Sequence, residues 1–121
     1  MADEITVSIT VSATKDGSGS FSTPRLAFTT DMVGNNLVGG LTQDIGTSSE
    51  TITLGDIAAA ANVLVIQNLD TTNYIEVGGD SGLTVFKLKI PAGESYVIQS
   101  PTTPLYAKAN TASVRIQKWA A

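Results

Sequence analysis

Two short motifs carry the residue types of known catalytic nucleophiles. Gly79-Asp-Ser-Gly82 is the tetrapeptide around the reactive serine of trypsin-like proteases, and Ser12-Ala-Thr-Lys15 has the Ser-x-x-Lys spacing of β-lactamase-like enzymes. The first motif needs a histidine as general base, and the chain contains no His. The second works on a helix, whereas its serine lies here in a strand pattern. We therefore predict no catalytic residues and no enzymatic activity, and we interpret 79–82 as a turn.

Four oxygen-bearing side chains are close enough in sequence to suggest a calcium site: Asp70, Asn73, Glu76 and Asp80. Their spacing does not fit an EF-hand loop, and Asp and Asn are common in turns because they bond to nearby backbone. The chain also has no His or Cys for zinc or iron, and no phosphate loop or dinucleotide fingerprint. We predict turn-forming roles for these residues, with no metal and no cofactor.

The charge balance limits the classes of partner. The formal net charge is -4, and the seven Lys and Arg residues are scattered, which argues against a nucleic-acid partner because phosphate contacts need clustered cations. No apolar stretch approaches the roughly 18–20 residues of a membrane span, and the acidic start is unlike a secretory signal. We expect no nucleic-acid, membrane or small-molecule substrate partner, and a protein made in a cytoplasm.

Alternating apolar and polar residues predict an all-β fold. In residues 4–14 the odd positions from Ile5 to Ala13 are apolar and the even positions from Thr6 to Thr14 are Thr or Ser, followed by a flexible turn or loop at 15–20. Further strands are predicted at 25–32, 36–42 (weak, interrupted by the glycines at 39–40), 50–54, 63–68, 74–77, 83–90, 95–99, 105–109 and 113–119. Eight to ten short strands indicate an antiparallel β-sandwich, jelly-roll-like, with little or no helix. The four alanines at 58–61 predict a short helical or irregular corner.

The length of 121 residues predicts one β-sandwich domain over 1–121, in which the strand and loop of 1–20 are a candidate interface arm. Charged residues are sparse at 15%, whereas the chain has sixteen Thr and eleven Ser. Strands that are rich in Thr and poor in charge suit half-buried sheets, and they also suit a surface that a partner covers. The predicted interface is the polar face of the first strand: Thr6, Ser8, Thr10 and Ser12.

A loose series of motifs runs through residues 48–118. Its members are Val65-Ile-Gln-Asn-Leu-Asp70, Asn73-Tyr-Ile-Glu-Val-Gly-Gly79, Phe86-Lys-Leu-Lys-Ile-Pro-Ala-Gly-Glu94 and Leu105-Tyr-Ala-Lys-Ala109. The series resembles small virion-associated proteins of tailed bacteriophages, which are jelly-roll or sandwich proteins that decorate capsids or sit in tails. The resemblance implies a capsid decoration (cement) protein on the virion surface, assembled in the host cytoplasm, that bridges coat subunits and stabilises the head shell. Its partners would be the major capsid protein and copies of itself, as a homotrimer.

Two other functions stay open. One is a tail, head–tail adaptor or fibre component of the same particle. The other is a receptor- or carbohydrate-binding β-sandwich, which requires an exposed aromatic platform around a residue such as Trp119 or Tyr106.

Overall fold

The computed structural model describes residues 4–31, 38–54, 63–99 and 105–121. Within these residues the chain forms twelve β-strands, all paired antiparallel, and no helix, which confirms the predicted all-β fold class. The predicted corner at 58–61 lies outside the described residues. The chain divides into two compact units, Met1–Val33 and Gly34–Ala121. A single domain over 1–121 stays a prediction.

The first unit is a β-ribbon with two arms, and each arm consists of two strands. The strands are β1 (Glu4–Ile9), β2 (Ser12–Lys15), β3 (Gly19–Ser22) and β4 (Leu26–Asp31). β1 pairs with β4 and β2 pairs with β3, so the chain runs out, turns at 16–18 and returns alongside itself. Gly17 and Gly19, with φ of +76° and +102°, supply the left-handed backbone of the turn. The flexible turn or loop predicted at 15–20 contains this turn, whereas Lys15 belongs to β2 and residues 19–20 belong to β3.

The continuous strand predicted over 4–14 is also wrong, because the ribbon has a joint between β1 and β2. Pro24 lies in the returning segment opposite this joint and has no N–H to donate to a ladder. The Val11 N–H donates instead to Thr23 Oγ1 at 3.0 Å, and the Thr23 N–H donates to the Val11 carbonyl at 2.8 Å. Pairing resumes beyond the joint with its register shifted by one residue.

The second unit contains two four-stranded sheets. Its strands are β5 (Val38–Ile45), β6 (Glu50–Thr51), β7 (Val63–Asn68), β8 (Ile75–Gly78), β9 (Lys87–Ile90), β10 (Ser95–Gln99), β11 (Tyr106–Ala109) and β12 (Val114–Ala120). Sheet I has the order β10–β7–β12–β5, and sheet II has the order β6–β11–β8–β9. Buried side chains from both sheets meet in one core, which includes Ile45, Leu64, Ile66 and Ile116 from sheet I and Ile75, Val77, Ile90 and Ala107 from sheet II. The unit is a β-sandwich, and the strands predicted at 63–68 and 95–99 are confirmed.

The glycine pair at 39–40 does not interrupt its strand. Gly40 has a φ of +88°, and the pairing of β5 with β12 shifts register between Lys118 and Trp119. This is a β-bulge, which glycine permits because it adopts a left-handed backbone without a steric cost. β5 therefore continues for eight residues, where the sequence predicted a weak strand at 36–42.

Two predicted strands are shorter than expected, each because a side chain takes over backbone hydrogen bonds. At 83–90 only β9 forms, since Leu83 has a φ of +54° and Asp80 accepts the N–H of Thr84. At 50–54 only β6 forms, since the Thr53 N–H donates to the Gln43 side chain at 3.1 Å. In both places a side-chain contact takes the place of the regular ladder, from Asp80 nearby in the chain and from Gln43 on β5.

Candidate functional site

The predicted interface residues lie in the ribbon, and all four are exposed. Thr6 and Ser8 lie in β1, Thr10 lies in the joint, and Ser12 lies in β2. The joint therefore divides the predicted polar face between two strands. A partner contact by these residues stays a prediction.

The opposite face of the β1–β4 ribbon is apolar. Val7 lies opposite Phe28 and Ile9 lies opposite Leu26, so these four side chains share one face. Val7 is buried, whereas Ile9 and Leu26 are 40% and 54% exposed. We call Ile9 and Leu26 the ribbon apolar pair. The sequence pattern predicted that the β1 side of this face is apolar, and the structure shows that the end of the face at Ile9 and Leu26 is exposed.

Asp80 holds the turn at 79–82. Its Oδ1 accepts the N–H groups of Thr84 and Val85 at 2.7 and 3.0 Å, and its Oδ2 accepts the Thr84 hydroxyl at 2.6 Å. These bonds, the Thr84 hydroxyl first, lower the pKa of Asp80. Ser81 is exposed in the same turn. The interpretation of this motif as a turn is confirmed.

The side chains considered for calcium do not converge. Asp70 Oδ2 accepts the N–H groups of Thr72 and Asn73 at 2.9 and 2.6 Å, and these bonds, that of Asn73 first, lower the pKa of Asp70. Glu76 pairs with Lys87 at 3.1 Å. Among the residues that the structure describes, no group of three or more His, Cys, Asp or Glu side chains is placed to hold a metal ion. Each carboxylate instead supports its own turn or strand pair.

Asn68 is fully buried and joins the two sheets. Its Nδ2 donates to the carbonyl oxygens of Asn73 and Ile90, both at 3.0 Å, and its Oδ1 accepts the Asp70 N–H at 2.8 Å. A buried amide is stabilising only when its donors and acceptors are paired, and these are. The sequence predicts Asn68 as the last residue of a strand and gives no signal that its side chain joins the two sheets.

Lys118 is a second buried polar residue, with 0% of its surface exposed. Its Nζ donates to Gln43 Oε1 at 2.7 Å, to Thr53 Oγ1 at 3.0 Å and to the Thr53 carbonyl. These three acceptors are neutral oxygens, and burial lowers the pKa of Lys118 to about 8. The contact ties β12 and β5 of sheet I to the segment after β6.

The buried ammonium predicts a pH dependence of stability. The pKa of Lys118 is about 8 in the folded state and 10.5 for an exposed lysine, so between these values the unfolded chain binds more protons and stability rises with pH. We expect the free energy of unfolding of the wild type, minus that of Lys118→Met, to increase by about 2 kcal/mol between about pH 7.5 and about pH 10. Urea titrations of both proteins across this range measure the difference. A difference independent of pH would contradict the prediction.

An exposed ion pair lies on the outer face of sheet I. Arg115 Nε donates to Asp44 Oδ1 at 2.9 Å, and its second contact, from Nη2 to Oδ2, is 3.4 Å. The Arg115 guanidinium lowers the pKa of Asp44 through its hydrogen bonds and its charge. Because both groups are exposed, the pair contributes little stability. Its consequence is that the charge of Arg115 is balanced within its own sheet.

The outer face of sheet II collects three lysines around one carboxylate. Glu76 lies directly opposite Lys89 on one neighbouring strand and Lys108 on the other. Lys87 Nζ is 3.1 Å from Glu76 Oε2, and Lys89 Nζ is 4.2 Å from the centroid of the Tyr74 ring. We call Glu76 with the three lysines the lysine face. Sequence reasoning counted these cations as scattered, because the pairing of β8, β9 and β11 is what brings them together.

A groove of about 440 Å³ lies beside the lysine face. It is lined by Lys87, Lys108, the Glu76 carboxylate and several hydroxyl side chains, which include Ser48 and Ser81. Ser49 also lines it, and its Oγ is buried without a hydrogen-bond partner among the described residues. The groove therefore combines many hydrogen-bond donors with two ammonium groups and one carboxylate.

No protein-family model, curated protein or solved structure gives a significant match to the chain. Among the described residues there is also no helix with the length and apolar character needed to cross a membrane. A functional proposal therefore depends on the two units and their surfaces.

Proposed function

We propose that the chain is a structural virion protein of a tailed bacteriophage, of the capsid decoration type, which stabilises the head shell by bridging coat subunits. The observation that carries the proposal is the ribbon of the first unit. A two-stranded ribbon is marginally stable alone in water, and this one exposes Ile9 and Leu26 together with Val11 and Phe21. Such an element gains stability when a partner covers it.

The strand order of the second unit supports the jelly-roll part of the proposal. Numbered from β5 to β12 as one to eight, the strands pair one with eight, two with seven, three with six and four with five. This nesting is that of one long hairpin rolled into two sheets, which is how a jelly roll is built.

The surface chemistry also supports an assembly role. Charged residues make up only 15% of the chain, which reduces the desolvation of charge when a surface is covered. The exposed apolar side chains of the ribbon can pack against coat subunits or against other copies of the chain. The proposed assembly is a homotrimer bound to the major capsid protein.

The decisive experiment is the copy number of the chain in purified virus particles, measured by quantitative mass spectrometry against the major coat protein. Decoration of the whole shell predicts a ratio equal to the coat's or a simple fraction of it. A few copies per particle would instead favour a tail, adaptor or fibre component. Absence from the particles would overturn the virion assignment.

The oligomeric state gives a second prediction, measured by light scattering after size exclusion. We expect the full chain to have three times the 12.5 kDa mass of one copy. Substitution of the ribbon apolar pair, Ile9→Thr with Leu26→Thr, should shift the protein toward monomer because it removes the apolar contact. Thr6→Val with Ser8→Val makes a matched change on the opposite, polar face and tests the interface predicted from the sequence. A monomeric wild type would contradict the homotrimer, and dissociation by Thr6→Val with Ser8→Val but not by Ile9→Thr with Leu26→Thr would place the trimer contact on the polar face.

A further inference from the structure

Three exposed lysines of the second unit lie together on the outer face of sheet II. Arg115 is paired with Asp44, and Lys118 is buried. The other three described cations of this unit are the lysines of the lysine face, in a chain of net charge -4. We propose that the lysine face and the adjoining groove form a docking surface for an acidic peptide segment of a partner protein. This proposal does not depend on whether that partner belongs to a virus particle.

The geometry holds the lysines in place before a partner arrives. Glu76 positions the ammonium of Lys87, and the Tyr74 ring positions that of Lys89. Lys108 lies two strands away from β9, a separation of roughly 10 Å at about 4.8 Å per strand. Because the Debye length is also about 8–10 Å at moderate salt, the fields of the three ammonium groups overlap. With one carboxylate among them, the face carries a net charge of about +2 at neutral pH.

The protection of a sheet edge explains only part of this arrangement. β9 is at the edge of sheet II among the described strands, and lysines are common on such strands because they discourage pairing with another chain. Lys108 lies instead on β11, an inner strand that pairs with β8 on one side and with β6 on the other through Tyr106 and Ala107. A binding role accounts for all three lysines.

The groove favours carboxylates over a phosphate backbone. Its volume of about 440 Å³ accommodates acidic side chains, and its hydroxyl and ammonium donors match carboxylate acceptors. A nucleic-acid duplex would need several simultaneous phosphate contacts, whereas here Glu76 lies at the centre of only three lysines. Charge complementarity therefore points to a short acidic segment.

The test is a fluorescence anisotropy titration of the full-length protein with labelled hexaglutamate, with hexaglutamine as the uncharged probe. We expect hexaglutamate to bind, with an affinity that falls as salt is added, and hexaglutamine not to bind. Lys87→Glu with Lys108→Glu should weaken hexaglutamate binding about tenfold. The matched control, Lys15→Glu with Arg25→Glu, makes the same change in net charge on the ribbon and should change affinity less than about twofold.

A gain-of-binding variant distinguishes an effect on hexaglutamate binding from a loss of folding. Glu76→Gln removes the one carboxylate of the lysine face and should tighten hexaglutamate binding about threefold. No hexaglutamate binding, or equal weakening by the two double variants, would overturn the proposal. Preference for a single-stranded thymidine oligonucleotide or for vesicles containing phosphatidylserine would also overturn it, since the recognised chemistry would then be phosphate.

Discussion

Substitution of Gly78 by alanine is expected to destabilise the sandwich by about 3 kcal/mol. A Cβ at this position would lie 2.6 Å from the carbonyl oxygen of Phe86, 2.8 Å from Leu83 Cδ2 and 3.1 Å from Leu83 Cα. Two of these atoms are backbone, and the segment that carries them is held by the hydrogen bonds of Asp80. The methyl group therefore cannot be accommodated by a side-chain rotation alone.

Urea unfolding of the two proteins measures this effect, and Gly39→Ala is the matched control. Gly39 also lies in a strand, and a Cβ there would meet no atom within 4 Å. We expect Gly39→Ala to change stability by less than about 1 kcal/mol, with stabilisation as the favoured sign because alanine restricts the unfolded chain. Equal losses at the two glycines would show that close backbone approach is not what requires Gly78.

Asn68→Asp is expected to be at least as harmful, with a loss of about 3 kcal/mol or more at neutral pH. The change replaces a buried amide donor by a carboxylate oxygen that faces the carbonyl oxygens of Asn73 and Ile90. Burial and these neighbours would raise the pKa of the new carboxyl group in the folded state. The folded protein would then bind more protons than the unfolded chain, so the variant should become less stable relative to wild type as pH rises.

Thermal and urea unfolding at about pH 4 and about pH 7 test both parts of this prediction. The matched control is Gln67→Glu, the same amide-to-acid change one residue earlier, on a half-buried side chain. It should cost less than about 1 kcal/mol because its outward face remains accessible to water. A comparable loss at the two positions would contradict the structural role assigned to the Asn68 amide.

The motifs behind the bacteriophage resemblance coincide with residues that build the sandwich. Asn68 joins the sheets, Gly78 allows close approach of the backbone, and Gly93 has a φ of +78° in the turn between β9 and β10. Ala107 and Ala109 are fully buried in β11. The pattern therefore describes how this sandwich packs, and the proposed place in a virus particle rests on other surfaces.

The proposed surfaces were visible in the sequence to different degrees. The alternation of residues 4–9 indicated a strand with one apolar face, yet which side chains of that face are exposed was decided by the tertiary structure. The lysine face had no signal in the sequence, because Lys108 is about twenty residues from Lys87 and Lys89 along the chain. The pairing of β11 and β9 with β8 makes them neighbours.

The sequence by itself determined the fold class and the most regular strands. β7 and β10 are predicted to the residue because their patterns are local and their boundaries are marked by polar or turn-forming residues. Only the tertiary structure decided where contacts with distant residues of the same chain override the local pattern. The Gly40 bulge forms against β12, and Lys118 is buried because its oxygen acceptors come from positions 75 and 65 residues away. Such contacts depend on which strands become neighbours, which local alternation of residue types does not encode.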